Sequence, residues 1–238
     1  MKTILHPAES RGHANHGWLI SRHTFSFAGY YDPERIQFGK LRVLNDDQVA
    51  GGKGFGTHPH QNMEIISIPL EGDLEHKDSM GNTTLIREGD IQVMSAGTGV
   101  SHSEYNKNED KPVKFLQIWV LPNKKDVTPR YDQITLKKEN LHNQFFQILS
   151  PYADDDGVWI YQNAWFHLAN LDEGVKLAYQ LKDPQNNGLY VFVLEGEVST
   201  VNLDLQKRDG LGIWEVDKVD FNAKSATQLL LMEVPMDS

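Results

Sequence analysis

Leu70-Glu71-Gly72-Asp73-Leu74 returns as Leu194-Glu195-Gly196-Glu197-Val198, an offset of 124 residues. In each copy an apolar run meets a Glu-Gly turn and resumes beyond it, as when one strand passes into the next. A second turn follows each copy, Arg87-Glu88-Gly89-Asp90 in the first and Arg208-Asp209-Gly210 in the second, at an offset of 121 residues. Two related β units in tandem account for both offsets. Outward from these turns, short runs rich in Val, Ile, Phe, Tyr and Trp recur between Gly, Asp and Asn clusters, among them Met63 to Leu70, Lys114 to Leu121, Val158 to Phe166, Leu189 to Leu194 and Gln228 to Val234. The fold class is therefore all-β with many short strands. The polar, poorly alternating stretch from Lys124 to about Gln147, with Pro129 inside it, is expected to join the units. That division assigns residues 1–130 to an N-terminal domain and 140–238 to a C-terminal one.

Composition narrows the chemistry. With 238 residues, 39% of them hydrophobic, the chain can fill a substantial core. It has no cysteine, so disulfides and thiolate metal sites are excluded and any metal must be held by histidine and carboxylate. A formal charge of -10 repels a phosphate backbone, and no Lys/Arg stripe reverses that sign locally, so direct nucleic-acid binding is disfavoured. The start, Met1-Lys2-Thr3-Ile4-Leu5-His6-Pro7, reaches His and Pro before an apolar segment of signal-peptide length accumulates, and no transmembrane-length run follows. A cytoplasmic protein without membrane association is expected.

Two motifs stand out among the ten histidines. His58 and His60 lie two residues apart in Thr57-His58-Pro59-His60-Gln61, and His102 and Glu104 repeat that spacing in Val100-Ser101-His102-Ser103-Glu104. On strands this spacing points both members of a pair to one face. Two such pairs facing one interior would offer three neutral nitrogens and one anionic oxygen to one mononuclear divalent transition metal: Fe(II), Mn, Ni, Cu, Co or Zn. The remaining histidines, His6, His13, His16, His23, His76 and His167, lack such partners and read as polar or core residues, and His142 as a linker residue. If the strand ran unbroken from His58, Glu64 would share the ligand face. One carboxylate suffices, so Glu104 is taken as the ligand and Glu64 as a hydrogen-bonding neighbour. Carrying the four positions forward by the repeat offsets lands on Lys182, Pro184, Ala223 and Ser225, which could not build this site; the second unit is expected to be metal-free.

The chain resembles the pirin family of bicupins over essentially its whole length. The resemblance is carried by Arg11-Gly12-His13-Ala14-Asn15-His16-Gly17-Trp18 with His23-Thr24-Phe25-Ser26-Phe27, by Phe55-Gly56-Thr57-His58-Pro59-His60, by Asp78-Ser79-Met80-Gly81-Asn82, and by Ser95-Ala96-Gly97-Thr98-Gly99-Val100-Ser101-His102-Ser103-Glu104-Tyr105-Asn106. It is most similar to the short bacterial members described as quercetin 2,3-dioxygenases. It departs from the general cupin pattern at Ser95, where proline is usual, and at Glu64, which that pattern counts as a ligand and pirins do not.

The resemblance implies two cupin barrels (double-stranded β-helix or jelly-roll) facing each other, with His58, His60, His102 and Glu104 as ligands in the first and Fe(II) as the expected ion. It implies an oxidoreductase that uses dioxygen to cleave a flavonol such as quercetin with release of carbon monoxide, Glu104 also taking the substrate proton. The implied partners are a small aromatic polyphenol and O2. Phe55, Met63, Phe115, Trp18 and Phe25 could supply apolar walls. Pirins also resemble metal-dependent regulators that bind other proteins, which leaves an interaction role open. A monomer is expected, because two fused units already cover each other's exposed sheet.

Overall fold

The computed structural model describes residues 1–237, and among them no helix is long and apolar enough to cross a membrane. The strands form four sheets. The first barrel sets a seven-stranded sheet, in the order Arg130–Thr135, Asp90–Ser95, Glu64–Glu71, Val113–Val120, Leu41–Val49, Leu19–His23 and Gly12–Asn15, against a four-stranded one of Gly54–His60, Val100–Asn106, Asp73–Asp78 and Thr83–Arg87. The second repeats this with Lys2–His6, Gly210–Trp214, Asn187–Glu195, Thr227–Pro235, Trp165–Leu171, Phe146–Ser150 and Val158–Trp159, against Lys176–Gln180, Lys218–Ala223, Glu197–Thr200 and Leu203–Gln206. The fold is two cupin barrels.

The repeated turns occupy equivalent places. Gly72 joins Glu64–Glu71 to Asp73–Asp78, Gly196 joins Asn187–Glu195 to Glu197–Thr200, and both have φ +81°. A side chain strains that backbone, which is why glycine recurs in both copies.

Strand alternation builds two kinds of core. Ile66, Ile68, Leu116, Ile118 and Val120 of the first large sheet pack with Phe166, Tyr190, Phe192, Leu230 and Met232 of the second, so the seven-stranded sheets meet face to face. Leu189, Val191 and Val193 alternate with those residues and point into the second barrel, against Val198, Leu205, Val219 and Phe221 of its small sheet. Burial on both faces explains why these strands read as continuous apolar runs.

Two edge strands depart from the expected division. Residues 130–135, inside the expected connection, pair with Asp90–Ser95 at the edge of the first sheet. Lys2–His6 pairs with Gly210–Trp214 at the matching edge of the second sheet, although residues 1–130 were assigned to the first domain. Neither segment alternates clearly, because an edge strand leaves much of itself in solvent. The N-terminal arm is tied down further: His6 Nδ1 lies 2.8 Å from the Tyr190 hydroxyl, and Asp46 receives both Arg11 and Arg208.

Candidate metal centre

Gly54–His60 and Val100–Asn106 pair antiparallel, with His58 opposite His102 and Phe55 opposite Glu104. The register shifts between these pairs, so Gly54–His60 carries one extra residue there. Such a bulge twists a strand and re-aims its side chains. On the other side of Val100–Asn106 lies Asp73–Asp78, with His76 opposite Glu104 and Asp78 opposite His102. Residues directly opposite share a face, so three neighbouring strands turn histidines and acids toward one interior.

One donor atom from each of His58, His60 and His102 lies within 4.8 Å of the other two, and the ring centroids are 4.5 to 4.9 Å apart. His58 Nδ1 is 2.8 Å from the Gly56 carbonyl, so its hydrogen sits on Nδ1 and Nε2 keeps its lone pair. His60 Nε2 and His102 Nε2 are buried with no hydrogen-bond partner. Burial, reinforced by the neighbouring imidazoles, holds His60 down to about 4 and His102 to about 3, so both rings are neutral at neutral pH. Buried lone pairs left without donors are costly unless something else satisfies them. A divalent cation does so, and the donor set fits one.

Glu104 is buried beside this triad. Its Oε1 accepts from Ser67 Oγ at 3.1 Å and its Oε2 from Gln117 Nε2 at 2.8 Å. It groups within 4.8 Å with His102 and His76, so the two clusters share His102. His76, read from sequence as an ordinary polar or core residue, is fully buried at the centre. The signal that could have found it is Asp78, two residues on: His76-Lys77-Asp78 has the spacing of His58 with His60 and of His102 with Glu104.

Glu64 lies elsewhere. The strand does not run on from His60: Asn62 turns the chain at φ +48°, and a new strand begins at Glu64. Its carboxyl accepts from Ser95 Oγ at 2.6 Å and from the Tyr161 backbone N–H across the barrel interface, and burial pushes it up to about 7. The two departures from the cupin pattern are thus partners, with Ser95 directly opposite Glu64 in the sheet.

In the small sheet of the second barrel, Tyr179 pairs with Val219 and Leu177 with Phe221. Of the positions reached by the fixed offsets, Ala223 lies on the strand Lys218–Ala223, and Lys182, Pro184 and Ser225 lie outside the strands of that sheet. Tyr179, Val219 and Phe221 belong to a core cluster that fills this barrel.

A cavity of about 600 Å³ opens in the first barrel, with none of His58, His60, His102 and Glu104 in its wall. Phe55 lies in its wall, on the strand that bears His58 and His60, and so does Phe27, whose ring meets Trp119 edge-on at 5.4 Å, Trp119 meeting His60 in turn at 5.0 Å. His13, His16, His23, Asn45 and Asp47 add polar groups. Asp47 accepts from Ser21 Oγ, and burial pushes its carboxyl up to about 7. Of the other expected wall residues, Trp18 packs edge-on against Phe55, Phe115 is in the barrel core, Met63 packs on the Ile65–Met94 cluster, and Phe25 lies between the barrels against Tyr190. The polar wall was missed because its members come from separate strands.

Residues 5–120 match the Pirin family, and residues 147–234 match the Quercetinase C-terminal cupin domain. The chain is 40% identical over 231 residues to quercetin 2,3-dioxygenase of Escherichia coli (strain K12), covering 97% of this chain and 98% of that one. It is 36% identical over 228 residues to a pirin-like protein of Caulobacter vibrioides, covering 95% and 97%. Among solved structures, bacterial pirin YhhW in complex with nickel(II) from Escherichia coli superposes with a TM-score of 0.93 at 39% identity, covering 98% of this chain and 99% of that one. Similarity at this level, running through both barrels and the histidine-bearing strands, makes the chain a member of the pirin family.

Proposed function

We propose that this protein is a metal-dependent dioxygenase of the quercetin 2,3-dioxygenase type, holding one Fe(II) ion through His58, His60, His102 and Glu104. Residues 1–130 carry the chemistry in this reading, and 140–238 the structural barrel. The observation that supports it most is the convergence of three imidazoles, two with orphaned nitrogens, on a buried carboxylate in a barrel that also holds an aromatic-walled cavity. When bound, the ion supplies Lewis acidity toward the flavonol 3-hydroxyl and a redox couple for reaction with dioxygen. Glu104, oriented by Ser67 and Gln117, takes the hydroxyl proton. Phe27 and Phe55 bound the planar rings, and Asp47, whose carboxyl burial pushes up to about 7, donates from its protonated form to a phenolic oxygen. One flavonol and one O2 then yield one phenolic ester and one carbon monoxide.

The test compares anaerobically iron-loaded wild type with His60→Ala and Glu104→Ala at matched metal occupancy, following oxygen uptake, loss of quercetin absorbance and carbon monoxide. Wild type is expected to turn over, and Glu104→Ala to lose at least about 100-fold in kcat, the scale of a positioned acid-base group. A fully loaded wild type that consumes no oxygen with quercetin would overturn the dioxygenase reading and favour the regulatory role seen in the resemblance.

A further inference from the structure

His76 and Asp78 are fully buried through their side chains and touch no part of the cavity wall, yet they sit directly behind a metal-facing histidine. Asp78 Oδ1 accepts from the backbone N–H groups of Met80 at 2.9 Å and Asn82 at 3.1 Å. Its Oδ2 accepts from Asn82 Nδ2 at 2.8 Å and faces His76 Nε2 at 3.0 Å. The other nitrogen of His76, Nδ1, lies 3.5 Å from His102 Nδ1, a long contact, but neither atom has another partner.

The hydrogens in this chain follow from what each group can do. An ionised carboxylate only accepts, so His76 Nε2 must carry its hydrogen. With that one hydrogen on its ring, His76 presents a lone pair at Nδ1. Two facing lone pairs would repel, so the hydrogen between the rings belongs to His102 Nδ1. That leaves His102 Nε2 bare, the buried nitrogen without a hydrogen-bond partner, on a ring whose centroid lies 4.5 Å from that of His58 and 4.9 Å from that of His60. His58 reaches the same state by another route, through the Gly56 carbonyl.

We propose that Asp78 and His76 act as positioning residues that fix the tautomer of His102, keeping its Nε2 free of hydrogen and ready for a metal ion. The proposal rests on the reading of His102 as a ligand. It makes a counter-intuitive demand. In Asp78→Asn, the amide oxygen stays on the two backbone N–H groups and the NH2 replaces Oδ2, so it donates to His76 Nε2; Asn82 needs only to turn its amide over. The hydrogen of His76 moves to Nδ1, His102 Nδ1 becomes the acceptor, and His102 Nε2 acquires a hydrogen aimed into the metal site. An aspartate-to-asparagine change that keeps geometry but imposes the wrong histidine tautomer has precedent in the serine-protease triad. His76→Leu, the larger disruption, merely releases His102 to sample both tautomers.

The experiment is carried out on the full chain stripped of metal, with folding of each variant verified by circular dichroism. Long-range nitrogen–proton NMR correlations assign the hydrogen on each histidine ring, and Zn(II) affinity is measured by chelator competition. Wild type is expected to show His102 as the Nδ1–H form, Asp78→Asn as the Nε2–H form, and His76→Leu as a mixture. Loss of an outer hydrogen-bond partner weakens metal affinity by about 10- to 100-fold, and Asp78→Asn is expected to fall further than His76→Leu. A purely structural role predicts the reverse order, since leucine removes a ring from a packed interior and asparagine is isosteric. An Nε2–H signal for His102 in wild type, or equal affinities in wild type and Asp78→Asn, would overturn the proposal. Failure of wild type itself to bind Zn(II), with the Nδ1–H tautomer in place, would overturn the metal reading it rests on instead.

Discussion

At the residue scale, hydrogen-bond arithmetic separates groups that look alike in sequence. Glu64 and Glu104 are both buried carboxyls, one on each of the two sheets of the first barrel. Glu104 lies inside the barrel among histidines, whereas Glu64 lies between the barrels, accepts from Ser95 and is pushed up to about 7 by burial. A carboxyl whose folded value lies above its unfolded value of 4.5 favours the protonated native state. Its stabilising contribution is complete below about pH 4.5 and is lost as pH rises through about 7. Glu64→Gln should remove this dependence. Measured by urea unfolding at pH 5 and pH 8, the variant is expected to gain roughly 2–3 kcal/mol relative to wild type between the two conditions. A pH-independent difference between them would show that Glu64 is already ionised at pH 5. The pairs His58 with His60 and His102 with Glu104 were legible as residues sharing a face, because a spacing of two on a strand is a local property. The place of His76 was not, because the spacing to Asp78 marks a strand face but not its partner, and His76 meets Glu104 only through pairing with a strand that follows two others along the chain.

At the element scale, the repeated turn can be tested at both copies. Gly72 and Gly196 share φ +81°, where a Cβ costs about 1–2 kcal/mol. Their surroundings differ. A Cβ on Gly72 would stand 3.1 Å from the Pro112 carbonyl, whereas one on Gly196 would fall 2.2 Å from the Ala226 carbonyl and 2.8 Å from Thr227 Oγ1. Gly72→Ala is expected to cost about the conformational penalty alone, and Gly196→Ala at least about 1 kcal/mol more, as overpacking adds to strain. Thermal or urea unfolding of the two variants would decide it, and equal losses would mean that the Ala226 turn moves aside freely. The same scale shows where periodicity failed. Lys2–His6 and Arg130–Thr135 lie on sheet edges, so the alternation that marks a half-buried strand is absent from both.

At the scale of the molecule, the face between the seven-stranded sheets gives the two barrels one shared core. Leu116 is fully buried in that face and points away from the metal centre. Leu116→Ala is expected to cost about 2–5 kcal/mol and to lower the protection of both barrels together in hydrogen exchange. Loss of protection confined to the first barrel would show that the barrels unfold independently. By itself, the sequence determined the all-β class and the tandem β units, and set His58 with His60 and His102 with Glu104 on common strand faces, because turn chemistry, strand period and residue spacing are local. Only the tertiary structure decided that the first and second barrels each complete their large sheet with an edge strand from outside their expected bounds, that Glu64 belongs to the interface, and that His76 and Asp78 stand behind His102. These depend on which strands lie side by side, and strand neighbours are chosen by the burial of whole faces, which no short stretch of sequence encodes.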